Sequence, residues 1–206
     1  MPVSPMDSSG FVVVSDLIPD VLLDVRYYST FNFVAERVDG YAQPLVLLTR
    51  EAAQALARVN EEALNRGLRR KLFDGYRPQR AVNHFVRWAE DASATQTKAI
   101  FYPEVDKRDL FSLGVIAQKS GHSRGSTIDL TLTKSGVPID MGTCFDLMDD
   151  LSHHGAAGVT EAQEQNRALL RSVMCWAGFA PYENEWWHYR LMTEPYPDTY
   201  FDFDIE

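Results

Sequence analysis

The sequence predicts an α+β fold made of one domain, residues 1–206. At 206 residues the chain can bury one good core, and two small domains would fit only with difficulty. Its helix and strand patterns follow the order helix, strand, helix, long loop, strands, helix, strand. Because this order does not repeat as βαβ, an α+β arrangement is favoured over a doubly wound sheet.

Composition and charge exclude several classes of partner. The formal net charge is -9 and the pI is near 5.0, whereas nucleic-acid binding depends on clustered Lys and Arg. No run approaches the roughly 18 apolar residues of a membrane span. We therefore expect a soluble protein that binds neither nucleic acid nor membrane.

The compartment is predicted from the first residues and the cysteines. The opening segment lacks the basic region of a secretory signal, and Cys144 and Cys175 lie far apart without C-x-x-C spacing. A reducing cytoplasm fits best. The alternative is a periplasmic protein with one disulfide, whose signal peptide has been removed.

The first helix and strand follow one another in the first half of the chain. Residues 48–67 read as an amphipathic helix that Thr49 caps and Gly67 ends. Residues 70–78, "RKLFDGYRP", predict a short strand ending in a glycine-containing turn. Pro78 then suits the first position of a second helix.

The second half of the chain predicts a flap, a third helix and further strands. Residues 92–119 show no sustained period and are expected to form a long loop or flap with a short helix. Thr160 and Gln163 form a capping box for a helix that ends near Gly178. Residues 185–191, "EWWHYRL", have the aromatic content of a strand, and the last residues predict an ordered tail.

The stretch "SGHSRGSTIDLTL", residues 120–132, combines a histidine with a strand-borne aspartate. Apolar residues alternate with Asp129 and Thr131, which predicts a strand with one buried face and places Asp129 on its polar side. Gly125 permits a tight turn that brings His122 over that face. The open alternative is that His122 caps a loop and Asp129 is a surface charge.

The better candidate for a third ligand is His188, in "NEWWHYRL". Glu185 lies three residues earlier, and in a regular strand the two would face opposite sides, so Glu185 is expected in a loop or bulge entering the strand. The alternative is an aromatic core strand with a hydrogen-bonded histidine. His84 is expected within the second helix, as a residue at the border of its buried face.

Two histidines, one aspartate and a nearby glutamate are what a hydrolytic zinc site requires. Three protein ligands leave a fourth position for water, and a carboxylate such as Glu185 takes and passes on its proton. Arg77, fixed before Pro78, suits an oxyanion that develops on the attacked carbonyl. A plain surface arginine on a turn is the alternative for Arg77.

Together, "SGHSRGSTIDLTL", "EWWHY" and "DGYRP" resemble the VanX-type D-alanyl-D-alanine dipeptidases, a family of zinc enzymes related to D,D-peptidases and hedgehog domains. The resemblance extends over most of the chain, including "VRYYSTFNFVAERVDGY", "MGTCFDLMDDLSHH" and "EPYPDTYFDFDIE". It implies a mixed, largely antiparallel sheet with helices packed on one side and a zinc cleft on the other.

The resemblance also implies a role for each site residue. His122, Asp129 and His188 bind one zinc ion per chain, Glu185 is the catalytic base and proton shuttle, and Arg77 stabilises the transition state. Three further residues line or order the substrate pocket, with Asp146 suited to an ammonium and Ser120 to a carboxylate; they are Tyr27, Ser120 and Asp146.

The implied reaction is hydrolysis of D-alanyl-D-alanine to two D-alanine molecules in cell-wall metabolism. Two alternatives stay open: a D,D-carboxypeptidase acting on longer peptidoglycan peptides, and a binding module in which zinc is only structural. The sequence leaves undecided the oligomeric state and the physiological role, whether glycopeptide resistance, peptidoglycan recycling or D-alanine catabolism.

Overall fold

The computed structural model describes residues 6–206; the first five residues of the opening segment lie outside it. The helices are α1 (Val14–Leu17), α2 (Arg50–Asn65), α3 (Gln79–Glu90), α4 (Lys98–Phe101) and α5 (Glu161–Trp176). The strands are β1 (Phe11–Val13), β2 (Leu22–Leu23), β3 (Leu47–Thr49), β4 (Arg69–Asp74), β5 (Thr127–Lys134), β6 (Val137–Pro138), β7 (Phe179–Tyr182) and β8 (Glu185–Leu191). Short 3-10 helices occupy Lys107–Asp109, Gly121–Arg124 and Asp150–Ser152.

The main sheet is mixed but largely antiparallel. Its strand order is β2-β4-β5-β8-β7, with β6 paired to β5, and β2 runs parallel to β4 while the other pairs are antiparallel. Strands β1 and β3 form a separate antiparallel pair. Helices α2 and α5 contact each other and strands β4, β7 and β8 of the main sheet. The predicted α+β class and its sheet are thereby confirmed.

Local sequence features explain where the three long helices begin. Thr49 accepts a hydrogen bond from the backbone N–H of Ala52, and Thr160 and Gln163 form both bonds of the expected capping box. Pro78 is the N-cap of α3 rather than its first residue, because its ψ of 146° is extended. The expected helix position of Pro78 was therefore wrong by one residue.

Strand β5 differs from its prediction in one respect. All its residues except Lys134 are buried, including Asp129 and the threonines that alternate with the apolar side chains. The expectation of one buried face was wrong because the face carrying Asp129 is buried as well. On that face Asp129 lines the cavity described below, and Thr131 and Thr133 are covered by protein.

The segment between α3 and β5 is a structured flap, as expected. It contains α4 and the 3-10 helix Lys107–Asp109. The buried Lys107 anchors it: Nζ donates to the carbonyls of Asp91 and Ala94 at 2.7 and 2.8 Å and lies 4.1 Å from the centre of the Trp88 ring. Within residues 6–206, no helix combines the length and apolar character that a membrane crossing requires.

Candidate active site

His122 is held by the 3-10 helix Gly121–Arg124. Ser120 caps this helix by accepting a hydrogen bond from the His122 N–H, and Gly125 ends it with a positive φ of 79°. A Cβ at Gly125 would lie 2.1 Å from the Phe11 ring, so this turn requires glycine. The chain can therefore reverse here and direct His122 back over β5.

The ring orientation of His122 is set by a backbone carbonyl. Nδ1 lies 2.6 Å from the carbonyl oxygen of Gly75, which can only accept a hydrogen bond. Nδ1 therefore carries the proton, and Nε2 presents a lone pair to the cavity. This is the arrangement that orients metal-binding histidines in general.

His122, Asp129 and His188 converge on one point. The sheet register pairs Asp129 directly with His188. His122 Nε2 lies 3.2 Å from Asp129 Oδ2, and His188 Nδ1 lies 3.1 Å from Asp129 Oδ1. The two ring nitrogens are 3.3 Å apart, and one ligand atom from each residue lies within 4.8 Å of the others.

These three residues fit a zinc ion. Asp129 Oδ1 is buried and accepts no hydrogen bond of good geometry in spite of the nearby His188. Burial raises the pKa of Asp129, but His122 and His188 outweigh it and bring that pKa below its ordinary value. An ionised carboxylate with an unused oxygen beside two imidazole nitrogens is a donor set that zinc prefers.

Glu185 reaches the same point through a bulge. In β7 and β8, Pro181 pairs with Tyr189 but Tyr182 pairs with Glu185, so the register shifts between them. The shift brings Glu185 Oε2 within 3.4 Å of His188 Nδ1, which confirms the expected bulge. Burial, opposed by His188, raises the pKa of Glu185. A raised pKa suits a carboxylate that accepts and returns a proton.

Arg77 is held in place beside the cluster of His122, Asp129 and His188. Its Nε and Nη2 each lie 2.9 Å from Asp74 Oδ2, and Nη2 lies 3.7 Å from Asp129 Oδ2. The guanidinium also lies over the rings of Tyr27 and Phe85, at 4.9 and 5.1 Å from their centres. Arg77 is thus a fixed cation in the cavity and not a surface arginine.

Asp74 is the functional residue that the sequence analysis missed. It is buried, accepts a hydrogen bond from Tyr41 Oη at 2.7 Å, and directs Arg77. A bulge between Leu72 and Asp74 pairs Asp74 with Asp129, which turns both to one face. The three-residue spacing between Asp74 and Arg77 could have suggested the ion pair, but nothing in the sequence indicated the bulge.

The three residues predicted to line the substrate pocket, Tyr27, Ser120 and Asp146, also lie at the site. Tyr27 Oη donates to Asp146, at 2.9 Å from Oδ2 and 3.2 Å from Oδ1. Asp146 has a φ of 64°, the left-handed region that non-glycine residues seldom adopt. Burial, reinforced by the charge of Asp129, raises the pKa of Asp146 well above its ordinary value. Their individual roles toward substrate remain predictions.

All eight predicted site residues line one cavity of about 550 Å³. Apolar walls come from α3, from the flap, and from Phe33 and Trp187; the α3 and flap residues include Val82, Phe85, Val105, Leu113, Val115 and Ile116. This combination of convergent polar groups and apolar walls is typical of a small-molecule site. The structure does not match the two alternatives left open for the histidines. His122 and Asp129 line the cavity together, instead of forming a loop cap and a surface charge, and His188 lines it too, instead of lying in an aromatic core.

The remaining histidines and the cysteines do not join the cluster of His122, Asp129 and His188. His84 lies in the middle of α3 and is half-buried, with Nε2 3.0 Å from Glu36 and Nδ1 accepting from the backbone N–H of Asp39. His153 lines the cavity wall, at 3.7 Å from Asp150. Cys144 and Cys175 are both exposed and unpaired.

Comparison with known proteins places this geometry in a family. The profile described as D-ala-D-ala dipeptidase, Peptidase_M15, matches residues 7–206. The chain belongs to the D-Ala-D-Ala dipeptidase family of metallopeptidases. A D-alanyl-D-alanine dipeptidase of Enterococcus faecium is similar to this member at 44% identity, covering 96% of this chain and 98% of its own length.

Similar enzymes come from other bacteria as well. Enzymes with the same name from Streptomyces coelicolor and Escherichia coli are 45% and 32% identical, over 96% and 90% of this chain and 99% and 86% of their own. A vancomycin-resistance D,D-pentapeptidase, VanY, solved in complex with Zn(II), matches 75% of this chain and 77% of its own with a TM-score of 0.43 and 15% identity.

Proposed function

We propose that this protein hydrolyses D-alanyl-D-alanine to two molecules of D-alanine with one zinc ion per chain. The observation that carries the proposal is the convergence of His122, Asp129 and His188 within 4.8 Å, with Glu185 3.4 Å from His188 Nδ1. Membership of the dipeptidase family supports the substrate. The cytoplasm is the proposed compartment.

His122, Asp129 and His188 would hold the zinc ion. When bound there, zinc acidifies water and polarises a carbonyl group. The cavity contributes to this chemistry by excluding bulk water, because its walls are apolar on the α3 and flap sides. Electrostatic interactions inside such a site are stronger than in water.

Glu185 moves the proton. Its carboxylate accepts a proton from the attacking water and donates it to the leaving amine of the second D-alanine. Burial raises the pKa of Glu185, which favours the return of the proton to the leaving amine. Its position on the bulge brings the carboxylate beside the ligands without making it one of the three.

Arg77 stabilises the oxyanion that develops on the attacked carbonyl. Asp74 and the two aromatic rings hold the guanidinium in place before the reaction, so little reorganisation is needed as charge develops. Removing a comparable preorganised donor costs enzymes about 10²–10³ in kcat.

Two other parts of the cavity bind the two charged ends of the dipeptide. The Tyr27–Asp146 pair receives the amino-terminal ammonium, because the Asp146 carboxylate lines the cavity and is held there by Tyr27 Oη. Ser120, half-buried at the start of the 3-10 helix, receives the terminal carboxylate. A substrate with both ends free satisfies both positions.

The first experiment measures D-alanine released from D-alanyl-D-alanine before chelation, after chelation and after zinc is returned. We expect activity to disappear and come back. A D-Ala-D-Ala-terminated pentapeptide should release no D-alanine; efficient release would favour the carboxypeptidase alternative.

The Glu185→Ala variant tests catalysis against a structural metal site. We expect it to retain one zinc per chain and lose activity by about 10²–10⁴-fold. Glu183→Ala is the matched control, since Glu183 lies two residues away but is exposed and pairs with Arg171. Undiminished activity in Glu185→Ala would contradict the mechanism, and an inactive wild-type protein that binds zinc would favour the binding module.

A further inference from the structure

One loop of the cavity wall carries Asp146 without regular structure to support it. Residues 141–153, here called the 141–153 loop, include a single 3-10 turn and contribute six cavity-lining positions, residues 146–150 and 153. Asp146 itself has a left-handed backbone conformation, which a non-glycine residue retains only when its surroundings determine it. Something must therefore fix this loop.

Arg167 of α5 supplies that support. Its side chain is fully buried, and its three nitrogens each donate to a different backbone carbonyl of the loop. Nε donates to Met141 at 2.7 Å, Nη1 to His153 at 2.9 Å and Nη2 to Leu151 at 2.9 Å. One guanidinium thus joins both ends of the 141–153 loop.

The charge of Arg167 is not neutralised by an ion pair. Among residues 6–206 no carboxylate oxygen lies within 4.0 Å of its nitrogens. A buried cation without a carboxylate is costly unless its donors are satisfied, and here three carbonyl dipoles satisfy them. The guanidinium reaches the three carbonyls from three separate nitrogens, whereas a lysine has a single nitrogen and would leave at least one of these carbonyls unpaired.

Two further bonds stiffen the loop between its ends. Ser152 Oγ donates to the carbonyl of Leu147 at 2.7 Å, and Trp186 Nε1 donates to Thr143 Oγ1 at 2.8 Å. Leu147 follows Asp146 directly. The bonds from Arg167 and Ser152 therefore limit the positions that the Asp146 carboxylate can take beneath Tyr27 Oη.

We propose that Arg167 is a positioning residue that presets Asp146 for the substrate's ammonium group and so determines the preference for a free amino terminus. This inference rests on the proposed function. Arg167 does not line the cavity and acts only through the loop. Its replacement should weaken recognition of the ammonium more than it weakens hydrolysis itself.

The test compares D-alanyl-D-alanine with N-propionyl-D-alanine, which keeps the shape but has hydrogen in place of the ammonium. For Arg167→Lys we expect the ratio of the two kcat/KM values to fall by about tenfold or more, as loss of a charge-assisted hydrogen bond predicts. The change should appear mainly in KM for the dipeptide. Zinc content should equal that of the wild type.

A double-mutant cycle with Asp146→Asn separates positioning from general stability. If Arg167 acts through Asp146, Arg167→Lys should change the ratio little further in the Asp146→Asn background. Ser152→Ala should lower the ratio in the same direction by a smaller factor, and it carries the test if Arg167→Lys does not fold. Arg70→Lys is the matched control, because Arg70 is equally buried but donates to Asn60 outside the cavity.

Equal losses of kcat/KM for both substrates in Arg167→Lys would overturn the inference, since they would show a purely structural role. An unchanged ratio in both Arg167→Lys and Ser152→Ala would overturn it as well. A wild-type protein that cleaves neither substrate, with zinc bound, would instead contradict the proposed function. The two failures are therefore distinguishable.

Discussion

His154 shows how burial changes the chemistry of a single side chain. Burial, with a smaller effect of Arg171, lowers the pKa of its imidazole to about 4. Its Nε2 is buried and accepts no hydrogen bond, and its ring lies 6.3 Å from that of Tyr189. Between about pH 6.5 and pH 4, His154 is therefore neutral in the folded protein but protonated in the unfolded chain.

This preference predicts a pH-dependent stability. The contribution is fully present above the ordinary histidine pKa of about 6.5 and is lost as pH falls from there toward about 4. Between pH 7 and pH 5, the wild type should lose more free energy of unfolding than His154→Gln does. The excess should be about 1 kcal/mol, since partial solvent exposure reduces the linkage effect. Denaturant unfolding at the two pH values measures it.

His153→Gln is the control for that measurement. His153 is the neighbouring residue, its side chain is 37% exposed, and it lies 3.7 Å from an exposed Asp150 carboxylate. Zinc release at low pH affects all three proteins alike and cancels in the comparison. Identical pH dependence in the wild type and His154→Gln would show that burial of His154 has no energetic consequence.

At the scale of elements, the C-terminal segment connects the two turns that carry His122 and Arg77. The Phe201 N–H donates to the Ser123 carbonyl at 2.8 Å, and the Phe201 carbonyl accepts from Gln79 at the start of α3 at 2.9 Å. The buried Phe201 ring lies 5.0 Å from Phe11, which also fills the space beside Gly125. The expected ordered tail is therefore part of the scaffold of the site.

Phe201→Ala should weaken both the fold and zinc retention. Truncation of a fully buried phenylalanine costs about 3–5 kcal/mol in the free energy of unfolding. Because the tail supports the turn of His122, zinc transfer to a chelator should also be faster than in the wild type. Denaturant unfolding and a chelator-release assay measure the two effects.

Trp176→Ala is the control, since this tryptophan is 64% exposed and should change stability by only about 0.5 kcal/mol or less. A Phe201→Ala protein that is destabilised yet releases zinc at the wild-type rate would show that the tail and the ligand turn are independent.

Elements were predictable where their signals are local. Thr49, Thr160 and Gln163 mark helix starts by hydrogen bonds within a few residues. Residue type and spacing identified His122, Asp129 and His188 as candidates for one cluster, and the family resemblance implied their role as zinc ligands. The bulge before Asp74 was not, because it depends on the partner strand β5. Burial of β5 on both faces likewise depends on segments distant in the chain, as does the support that Arg167 gives.

At the scale of the whole molecule, the net negative charge of the chain extends to the exposed part of the cavity lining. The net charge is -9, and the exposed residues lining the cavity include Glu104 and Asp150 against a single ammonium, Lys119. A free dipeptide is a zwitterion without net charge and experiences little repulsion. A longer peptide with an acidic residue before D-Ala-D-Ala places its charge near these residues and is disfavoured.

Two tripeptides of equal size, Glu-D-Ala-D-Ala and Gln-D-Ala-D-Ala, test this electrostatic selectivity as competitive inhibitors. At low ionic strength the acidic peptide should have an inhibition constant about threefold to tenfold higher than the neutral one. The ratio of the two constants should fall toward unity near 0.5 M salt, where charges are screened over a few ångströms.

The double variant Glu104→Gln, Asp150→Asn should remove most of the difference at low salt. Glu61→Gln should not, because Glu61 is an exposed carboxylate of α2 outside the cavity lining. A difference that persists at high salt and in the double variant would place the discrimination in the shape of the cavity instead of its charge.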